Sequence, residues 1–407
     1  MNKCIWYLSK YAVTPLEGDP ASRPFGLMRE FARMGLLPVI VTASSQNDKE
    51  AIRHFRRSRI FTQEGVTVVV LNTLKYASSK SFRRILSWVH FEAAVALMPR
   101  KNLPRPDVII VSSLSLFTIF NGIRLRRIYG SRLIFEIRDI WPLTLTEEGG
   151  FSSRHPAIRI LAAIERHGYK RADAIVGTMP NLGEHVAQVM GREMKTFCIP
   201  MGVDIEWYGE TETSNPLFKQ LKEEFVVGYA GSLGTSNAMN VLFQCAELLR
   251  TNAQIHFRIL GDGQLRSEYI TKYGDLPNIT FLDPVPKHFV RSFLEECDVL
   301  FFAVHNSKVW DYGLSLNKLI DYMASGKPIV ASYSGFQTMI NEAESGSFVS
   351  AEDPGALLDE IIKFQRMPKS ERVTVGERGK SWLFHYRSYR RLALQYFDIL
   401  FPIKDYA

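Results

Sequence analysis

The segment with the clearest potential for chemistry lies at residues 312–330, where a loop of Gly and Ser opens a predicted helix that ends before Gly326. Lys318 falls in the first turn of this helix, and Asp321 follows one turn later. A helix N-terminus offers unpaired backbone amides and the positive end of a dipole, which suits a phosphate, and a lysine placed there needs an anion as compensation. The lysine would bind a diphosphate and the aspartate the hydroxyls of a ribose. A solvated Lys–Asp surface pair explains the same spacing, so both interpretations stay open.

Two Gly-rich turns follow predicted strands in the second half of the chain, beginning at Tyr229 and at Leu260. Their glycines would let the backbone approach a diphosphate, although ordinary strand-end turns have the same composition. The first turn carries no cation downstream, so basic residues elsewhere would have to add to the charge of Lys318. We expect Gly231 and Ser232 at the diphosphate, with Arg266 or Lys308 as candidates for the added charge. For Lys308, contact with the acceptor stays open as an alternative.

In the first half of the chain, charged side chains follow an apolar strand in the run Phe135–Pro142. Because ligands bind at the carboxyl edge of parallel sheets, Asp139 is placed to contact donor or acceptor hydroxyls and Arg138 to meet a phosphate. A buried structural ion pair explains this Arg-Asp pair equally well. Arg23, just before a helix that begins with proline, is either a phosphate or acceptor contact or a solvated side chain.

The elements that must position these residues alternate between short β-branched runs and longer helical patterns, as in parallel sheets built from βαβ units. The fold class predicted is α/β, with two Rossmann-like doubly wound domains facing each other across a cleft. The first domain would span residues 1–200 on the acceptor side, and the second residues 201–385 on the donor side. A helix over Trp382–Phe401 is expected, and residues 386–407 would cross back to the first domain.

Composition narrows the class of protein. The chain has 407 residues with 46% hydrophobic and 23% charged residues, which fits two globular domains, and its net charge of +8 favours anionic partners. Four widely separated cysteines and no signal-peptide pattern indicate a cytoplasmic protein. No recognised nucleic-acid module is present. The basic, aromatic runs His54–Arg59 and Lys75–Lys101 either lie on an anionic membrane surface or are solvated.

The run Asp321–Ile329 resembles the end of the hallmark motif of the retaining glycosyltransferases of family 4, which have the glycosyltransferase-B fold. That motif has two glutamates separated by seven residues. Asp321 takes the second acidic position, the ribose ligand of the family, whereas Gly313 takes the first. The resemblance implies that the loop at Phe281–Val285 holds the base through main-chain groups at Val285. It also implies that Asp139 and Lys318 are catalytic and that the other donor contacts of the motif are Gly313, Leu314, Ser315 and Asn317.

The resemblance further implies the activity. It points to transfer of an N-acetylated amino or deoxy-amino hexose from a UDP-sugar, with retention, to a lipid-linked or oligosaccharide acceptor in bacterial surface-polysaccharide assembly. A donor phosphate oxygen would take the acceptor proton. No Asp-x-Asp cluster suggests a metal, so neither metal nor other cofactor is expected, and the diphosphate would be stabilised by Lys318 and backbone amides.

Two other functions share this architecture. A nucleotide-sugar 2-epimerase would need acid–base carboxylates and histidines around the sugar, and the nine histidines form no clear motif. A catalytically inactive nucleotide-sugar-binding scaffold is suggested by the glycine at position 313. Product analysis distinguishes the three functions, because an epimerase needs no acceptor and a scaffold releases no UDP.

Overall fold

The computed structural model describes residues 2–15, 20–44, 58–75, 82–210, 218 and 225–402. Their contacts divide the chain into two compact units. The first contains Cys4–Leu8, Ala21–Pro200 and the last helix from Tyr389 onward, and the second contains Met201–Ser388. Each unit has its own sheet of mainly parallel strands, with helices connecting them. The predicted α/β class with two doubly wound domains is confirmed.

The sheet of the first unit has eight strands in the order β3-β4-β2-β1-β5-β6-β7-β8. Their bounds are β1 Cys4–Leu8, β2 Leu37–Ala43, β3 Ser58–Gln63, β4 Val66–Leu71, β5 Val108–Ser112, β6 Arg132–Ile137, β7 Ala174–Gly177 and β8 Thr196–Cys198. The central strands β1 and β5 are buried along their whole length, which explains their continuous apolar sequences.

The helices of the first unit are α1 Arg23–Arg33, α2 Phe82–Leu97, α3 Thr118–Tyr129, α4 Leu143–Glu147, α5 Pro156–Arg171 and α6 Leu182–Met190. The chain moves one way from β1 to β2 and the other way from β5 to β8, so right-handed crossovers put α1 on one face of the sheet and α2, α3, α5 and α6 on the other. The carboxyl ends of β1 and β5, where the order reverses, are where such sheets bind ligands.

The sheet of the second unit has six parallel strands in the order β11-β10-β9-β12-β13-β14. Its strands are β9 Phe225–Ala230, β10 Ile255–Leu260, β11 Ile279–Leu282, β12 Val299–Ala303, β13 Ile329–Ser332 and β14 Gly346–Val349. Its helices are α7 Ile205–Glu210, α8 Asn240–Leu248, α9 Arg266–Tyr273, α10 Lys287–Glu295, α11 Asn317–Ala324, α12 Met339–Glu342, α13 Pro354–Arg366 and α14 Lys369–Tyr386. Here the order of strands reverses between β9 and β12.

Two features differ from the sequence-based expectation. The basic run at residues 54–59 partly enters β3, an antiparallel edge strand that begins at Ser58, and its residues 54–57 lie outside the described part of the chain. The single helix expected over Trp382–Phe401 is two helices, α14 and α15, the second spanning Tyr389–Leu400. The break occurs because Arg387 accepts a backbone hydrogen bond from Val203 (2.8 Å), and Ser388 forms a β-bridge with the same residue.

The last helix, α15, belongs to the core of the first unit. Its buried residues Leu392, Ala393 and Tyr396 join the cluster that α1 and the sheet also form, and the rings of Phe31 and Tyr396 lie 6.2 Å apart. Apolar spacing of the terminal segment therefore marks a real packing face. Among the described residues, no helix is long and apolar enough to cross a bilayer.

Candidate functional site

The predicted residues of the second half gather at one edge of the second sheet. Because all six strands are parallel, the loops that follow them leave from the same edge. Gly231 and Ser232 follow β9, Arg266 follows the turn after β10, and Val285 follows β11. The loop after β12 holds the remaining predicted residues, which are Lys308, Gly313, Leu314, Ser315, Asn317 and Lys318.

Lys318 spans the point where the strand order reverses. It lies in the first turn of α11, but its Nζ donates to Oδ1 of Asn237 in the loop after β9 (2.5 Å) and to the hydroxyl of Tyr229 near the end of β9 (3.1 Å). The ammonium lies 4.8 Å from the centre of the Tyr229 ring. Burial lowers the pKa of Lys318 to about 8. No carboxylate pairs with it in the described part of the chain, so the site holds a partly desolvated cation with neutral partners.

The start of α11 is open to an anion. Its N-cap residue is Leu316, whose apolar side chain makes no capping hydrogen bond to the first amides of this helix. A helix begins with amides that have no intrahelical carbonyl to bind, and the positive end of its dipole lies there. These amides and the Lys318 ammonium therefore provide donors for the same anion, as the sequence predicts.

The backbone conformation of Gly313 explains why this position has no acidic side chain. Its φ is +112° and its ψ 174°, a conformation that almost only glycine adopts. The preceding 3-10 turn, Lys308–Tyr312, is closed by the Gly313 amide, which donates to the carbonyl of Trp310 (3.1 Å). A side chain at position 313 would strain this turn, so replacing the glycine with glutamate would lower the stability of the protein.

The two Gly-rich turns pack directly against each other. Leu233 donates to the carbonyl of Asp262 (2.8 Å), and Leu265 donates to that of Leu233 (3.0 Å). At Gly261, where φ is +148°, an added Cβ would lie 1.9 Å from the carbonyl oxygen of Gly231. The second turn therefore needs glycine for contact between the turns, a reason that the sequence interpretation missed. At Gly231 an added Cβ would lie 3.4 Å from Cε of Lys318, so this glycine borders the lysine.

Asp321 points to different neighbours from Lys318, although both lie on α11. The hydroxyl of Tyr208 donates to its Oδ1 (2.8 Å), and the ammonium of Lys287 pairs with its Oδ2. Its side chain is 16% exposed. The predicted ribose ligand is thus already hydrogen-bonded to α7 and α10, and only its remaining surface is available to a ligand.

Arg266 and Val285 lie at the same edge of the second sheet, after strands β10 and β11. Arg266 pairs with Asp283 (2.8 Å), which connects the turn after β10 to the loop of the half-buried Val285. Asp283 is 90% exposed, so this ion pair is easily exchanged for another anion. Lys308 is exposed on its 3-10 turn.

His305 is a residue of this edge that the sequence interpretation missed. Its Nε2 lies 2.7 Å from the carbonyl oxygen of Thr235, and its Nδ1 lies 2.6 Å from a carboxylate oxygen of Glu352. The ring therefore connects the loop after β12 to the loops after β9 and β14. A histidine one residue beyond an apolar strand was the only sequence signal for this role.

In the first unit, Arg138 and Asp139 follow β6 at the carboxyl edge of the sheet. The hydroxyl of Ser113, after β5, accepts from the Arg138 amide (3.0 Å) and donates to the carbonyl of Asp139 (3.1 Å). Desolvation raises the pKa of the Asp139 carboxyl, and the charge of Arg138 and a hydrogen bond with Trp141 oppose this rise. Asp139 is exposed and is accessible to a substrate.

Arg23 is neither solvated nor accessible, which corrects the prediction that it contacts a phosphate or an acceptor. Its buried guanidinium pairs with Glu136 (2.9 Å) and donates to the carbonyls of Ile199 (2.6 Å) and Pro200 (3.1 Å). Glu136 also accepts from Tyr396 (3.2 Å) of α15. Burial opposes ionisation of Glu136, but the charges of Arg23 and Arg138 and the hydrogen bonds from Tyr7 and Arg23 together outweigh it and hold the pKa of the carboxyl below its ordinary value. The buried ion pair considered for Arg138 and Asp139 is instead formed by Arg23 and Glu136.

A basic and aromatic cluster at the same edge of the first sheet was also missed. Lys10 follows β1 and is only 7% exposed. Burial and the charges of Lys75 and Arg84 lower its pKa to about 8, while Glu92 opposes them. Next to these cations stand three aromatic rings: Trp88 donates to the hydroxyl of Tyr11 (2.6 Å) and packs edge-on against Trp141 (5.7 Å). Such a cluster suits an anionic group carried on an apolar or sugar-like body.

Metal ligands do not cluster in the described residues, where no group of three His, Cys, Asp or Glu side chains is arranged to hold an ion.

Comparison with protein families decides the class. Residues 20–202 match the family of glycosyl transferase 4-like domains, and residues 224–366 match the glycosyl transferases of group 1. Together the matches leave out only the residues before 20, between 203 and 223, and after 366. The chain is a glycosyltransferase of the glycosyltransferase-B type.

Solved structures of this glycosyltransferase fold cover nearly the whole chain. Sucrose-phosphate synthase from Thermosynechococcus elongatus superposes with a TM-score of 0.71 at 14% identity, with 98% of each chain covered. Anabaena HepE, solved with UDP and glucose, has a TM-score of 0.66 at 15% identity, covering 98% of this chain and 99% of its own. The E. coli trehalose-6-phosphate protein bound with UDP-2-fluoro glucose gives 0.73 at 13%, with 98% and 99% covered. At these identities the likeness shows the fold. No protein of curated function matches the sequence.

Proposed function

We propose that this glycosyltransferase moves an N-acetylated amino or deoxy-amino hexose from a UDP-sugar to a lipid-linked or oligosaccharide acceptor, with retention and without metal, in bacterial surface-polysaccharide assembly. The observation that carries the proposal is Lys318, a half-buried cation with neutral partners beside the Gly231 turn and the start of α11. Such a site lacks an anion, and a nucleoside diphosphate supplies one. Two of the similar structures were solved with UDP or a UDP-sugar, which supports UDP as the nucleotide.

The diphosphate would lie against Lys318 and the first amides of α11. When the bond between the sugar C1 and the phosphate oxygen breaks, negative charge grows on the leaving UDP. Lys318 is already positioned and mostly desolvated, so it stabilises this charge more strongly than a solvated lysine would. Arg266 would add charge by exchanging Asp283 for the diphosphate. In this proposal the cations and amides take the place of a metal ion.

The nucleoside would extend along the same edge. Asp321 would accept from ribose hydroxyls with the surface that Tyr208 and Lys287 leave exposed. Main-chain groups at Val285 would hold the base, because the loop after β11 begins beside Arg266.

Same-face attack is proposed because the chain resembles the retaining glycosyltransferases of family 4. The acceptor oxygen would attack C1 on the face that the UDP leaves. The new C1–oxygen bond forms as the C1–phosphate bond breaks, and the acceptor proton passes to a phosphate oxygen of the departing UDP. Asp139, exposed at the edge of the first sheet, would orient sugar hydroxyls, and Arg138 would contact a phosphate.

The acceptor would bind the first unit. Lys10, Lys75 and Arg84 suit a phosphate group, and Tyr11 and Trp88 suit the sugar attached to it. A lipid-linked sugar carries a phosphate and is anchored in a membrane, so we propose that the enzyme works in the cytoplasm at the membrane surface.

The test is UDP release by the purified chain across UDP-hexosamines and deoxy-amino hexoses, with and without soluble phosphorylated sugar acceptors, in the presence of a chelator. We expect acceptor-dependent release with one donor and a product with the anomeric configuration of the donor. Release without an acceptor together with a changed sugar would establish an epimerase. Binding of UDP without release from any donor would establish the inactive scaffold.

A further inference from the structure

One face of the first unit carries solvent-exposed apolar side chains. The helices α2, α3 and α5 lie on the same side of the sheet and contact one another: Arg124 donates to the carbonyl of Ala96 (3.0 Å), and the rings of Phe120 and His167 lie 5.9 Å apart. Their outward stripes expose large apolar side chains: Ile85 46%, Leu86 42%, Val89 54%, Leu97 84%, Phe120 48%, Ile128 47% and Ile160 58%. Single exposed apolar residues are common, but a patch spread over three neighbouring helices marks an interaction surface.

The charges on this face have one sign. The same helices expose basic side chains between the apolar ones, namely Arg83, Arg124, Arg127, Arg159, Arg166, Lys170 and Arg171. Within the described residues of α2, α3 and α5 only Glu92 and Glu165 are acidic, and both are occupied inside the unit. Glu92 accepts from Thr118 (2.6 Å) and Asn121 (2.7 Å), and Glu165 is 3% exposed. In the described part of the chain, the outward stripes of these three helices are therefore basic and apolar and carry no exposed carboxylate of their own.

We propose that this face, which we call the α2–α3–α5 face, docks the enzyme on an anionic lipid surface. Lipid head groups satisfy the basic side chains while the apolar ones enter the acyl boundary, a combination that water and an acidic soluble protein do not offer together. The inference deepens the proposed function and rests on it, since a lipid-linked acceptor requires an enzyme at the membrane. Helix α2 also carries Arg84 and Trp88 of the basic and aromatic cluster, so docking would bring the acceptor phosphate toward its cations.

The test is flotation of the purified full chain with vesicles of phosphatidylcholine, alone or mixed with phosphatidylglycerol. We expect binding to the mixed vesicles and little to the neutral ones. The double variant V89S/L97S should bind at least about tenfold more weakly, because it removes apolar area from the lipid. The variant R127E/R159E should also lose at least about tenfold, since each basic residue contributes attraction to the surface.

Matched controls lie elsewhere on the chain. Val373 and Leu394 are 51% and 53% exposed, and V373S/L394S removes the same kinds of side chain outside the face. The variant K272E/R390E makes the same change of charge at two other exposed positions. Both controls should float like the wild type, and circular dichroism should show all variants folded.

Three results would overturn the docking. The wild type would not float with anionic vesicles, the controls would lose as much binding as the face variants, or V89S/L97S would convert a dimer into a monomer in sedimentation, which would assign the face to a second copy. Transfer to a soluble acceptor is measured without vesicles and tests the proposed function separately. Flotation without transfer would support the docking proposal and contradict the proposed function. Transfer without flotation would support the proposed function and contradict the docking proposal.

Discussion

Oδ1 of Asn237 lies 2.5 Å from Nζ of Lys318, so a neutral amide holds this ammonium where a carboxylate would neutralise it. The geometry fixes the side chain but leaves its charge for a ligand. Burying an uncompensated charge costs free energy, and a site that does so at the reversal point of a doubly wound sheet is suited to an anion.

Replacing this lysine should separate activity from stability. We expect K318M to lower kcat/KM by about 10²–10³-fold, because it removes charge stabilisation of the leaving diphosphate. The ligand-free variant should be more stable by about 1–3 kcal/mol at pH 7, since the desolvated charge is gone. Steady-state kinetics and thermal unfolding measure both. K272M, at an exposed lysine, is the control and should change neither.

UDP affinity should fall as the pH rises through about 8, because Lys318 loses its proton there. The folded pKa is lowered, so the unfolded chain binds more protons above pH 8, and stability from this residue rises with pH up to its unfolded value of about 10.4. Calorimetric titration with UDP across this range is the measurement. Lys10 also has its pKa lowered to about 8, and K10M should keep the pH dependence, whereas K318M should abolish it.

Introducing at position 313 the glutamate of the family motif should lower the stability of the enzyme. We expect G313E to lose about 1–3 kcal/mol of stability, because its φ of +112° strains any side chain. G313A carries the same strain without a carboxylate, so the difference in kcat between the two variants isolates the acid. Faster turnover in G313E than in the wild type would contradict the proposed mechanism.

Asp321 should act on donor affinity more than on turnover. D321N keeps an acceptor for Tyr208 but loses the ion pair with Lys287, and we expect a higher KM for the donor with little change in kcat. K287M breaks the same ion pair from the other side. Equal increases of KM in both variants would indicate that the ion pair, and not ribose contact, is what matters.

Arg23 should be essential to the stability of the first unit. R23M leaves Glu136 buried without its cation, and breaking such a pair costs about 3–5 kcal/mol. The double variant R23M/E136Q should recover part of the loss in urea unfolding. Because the pKa of Glu136 is lowered in the folded state, the stability it contributes is present above its unfolded pKa and is lost on acidification through the folded value. No recovery in the double variant would argue against this ion pair.

The sequence determined the architecture and the main element of the site. Alternating β-branched runs and helical patterns specify parallel sheets because each strand must be buried on both faces, and the structure has the two mainly parallel sheets that this pattern predicts. Lys318 at the start of α11 could be predicted because a helix terminus and a nearby cation are local features. The apolar spacing of the last helix indicated a packing face for the same reason.

Only the tertiary structure decided which side chains meet. Arg23 and Glu136 are 113 residues apart, and neither sequence position shows that the two are buried together. The partners of Lys318 come from a different loop, and Gly261 is needed because another turn touches it. The α2–α3–α5 face combines helices whose separate patterns look merely solvated. Such contacts depend on the order of strands and on crossovers between distant segments, so local sequence patterns do not contain them.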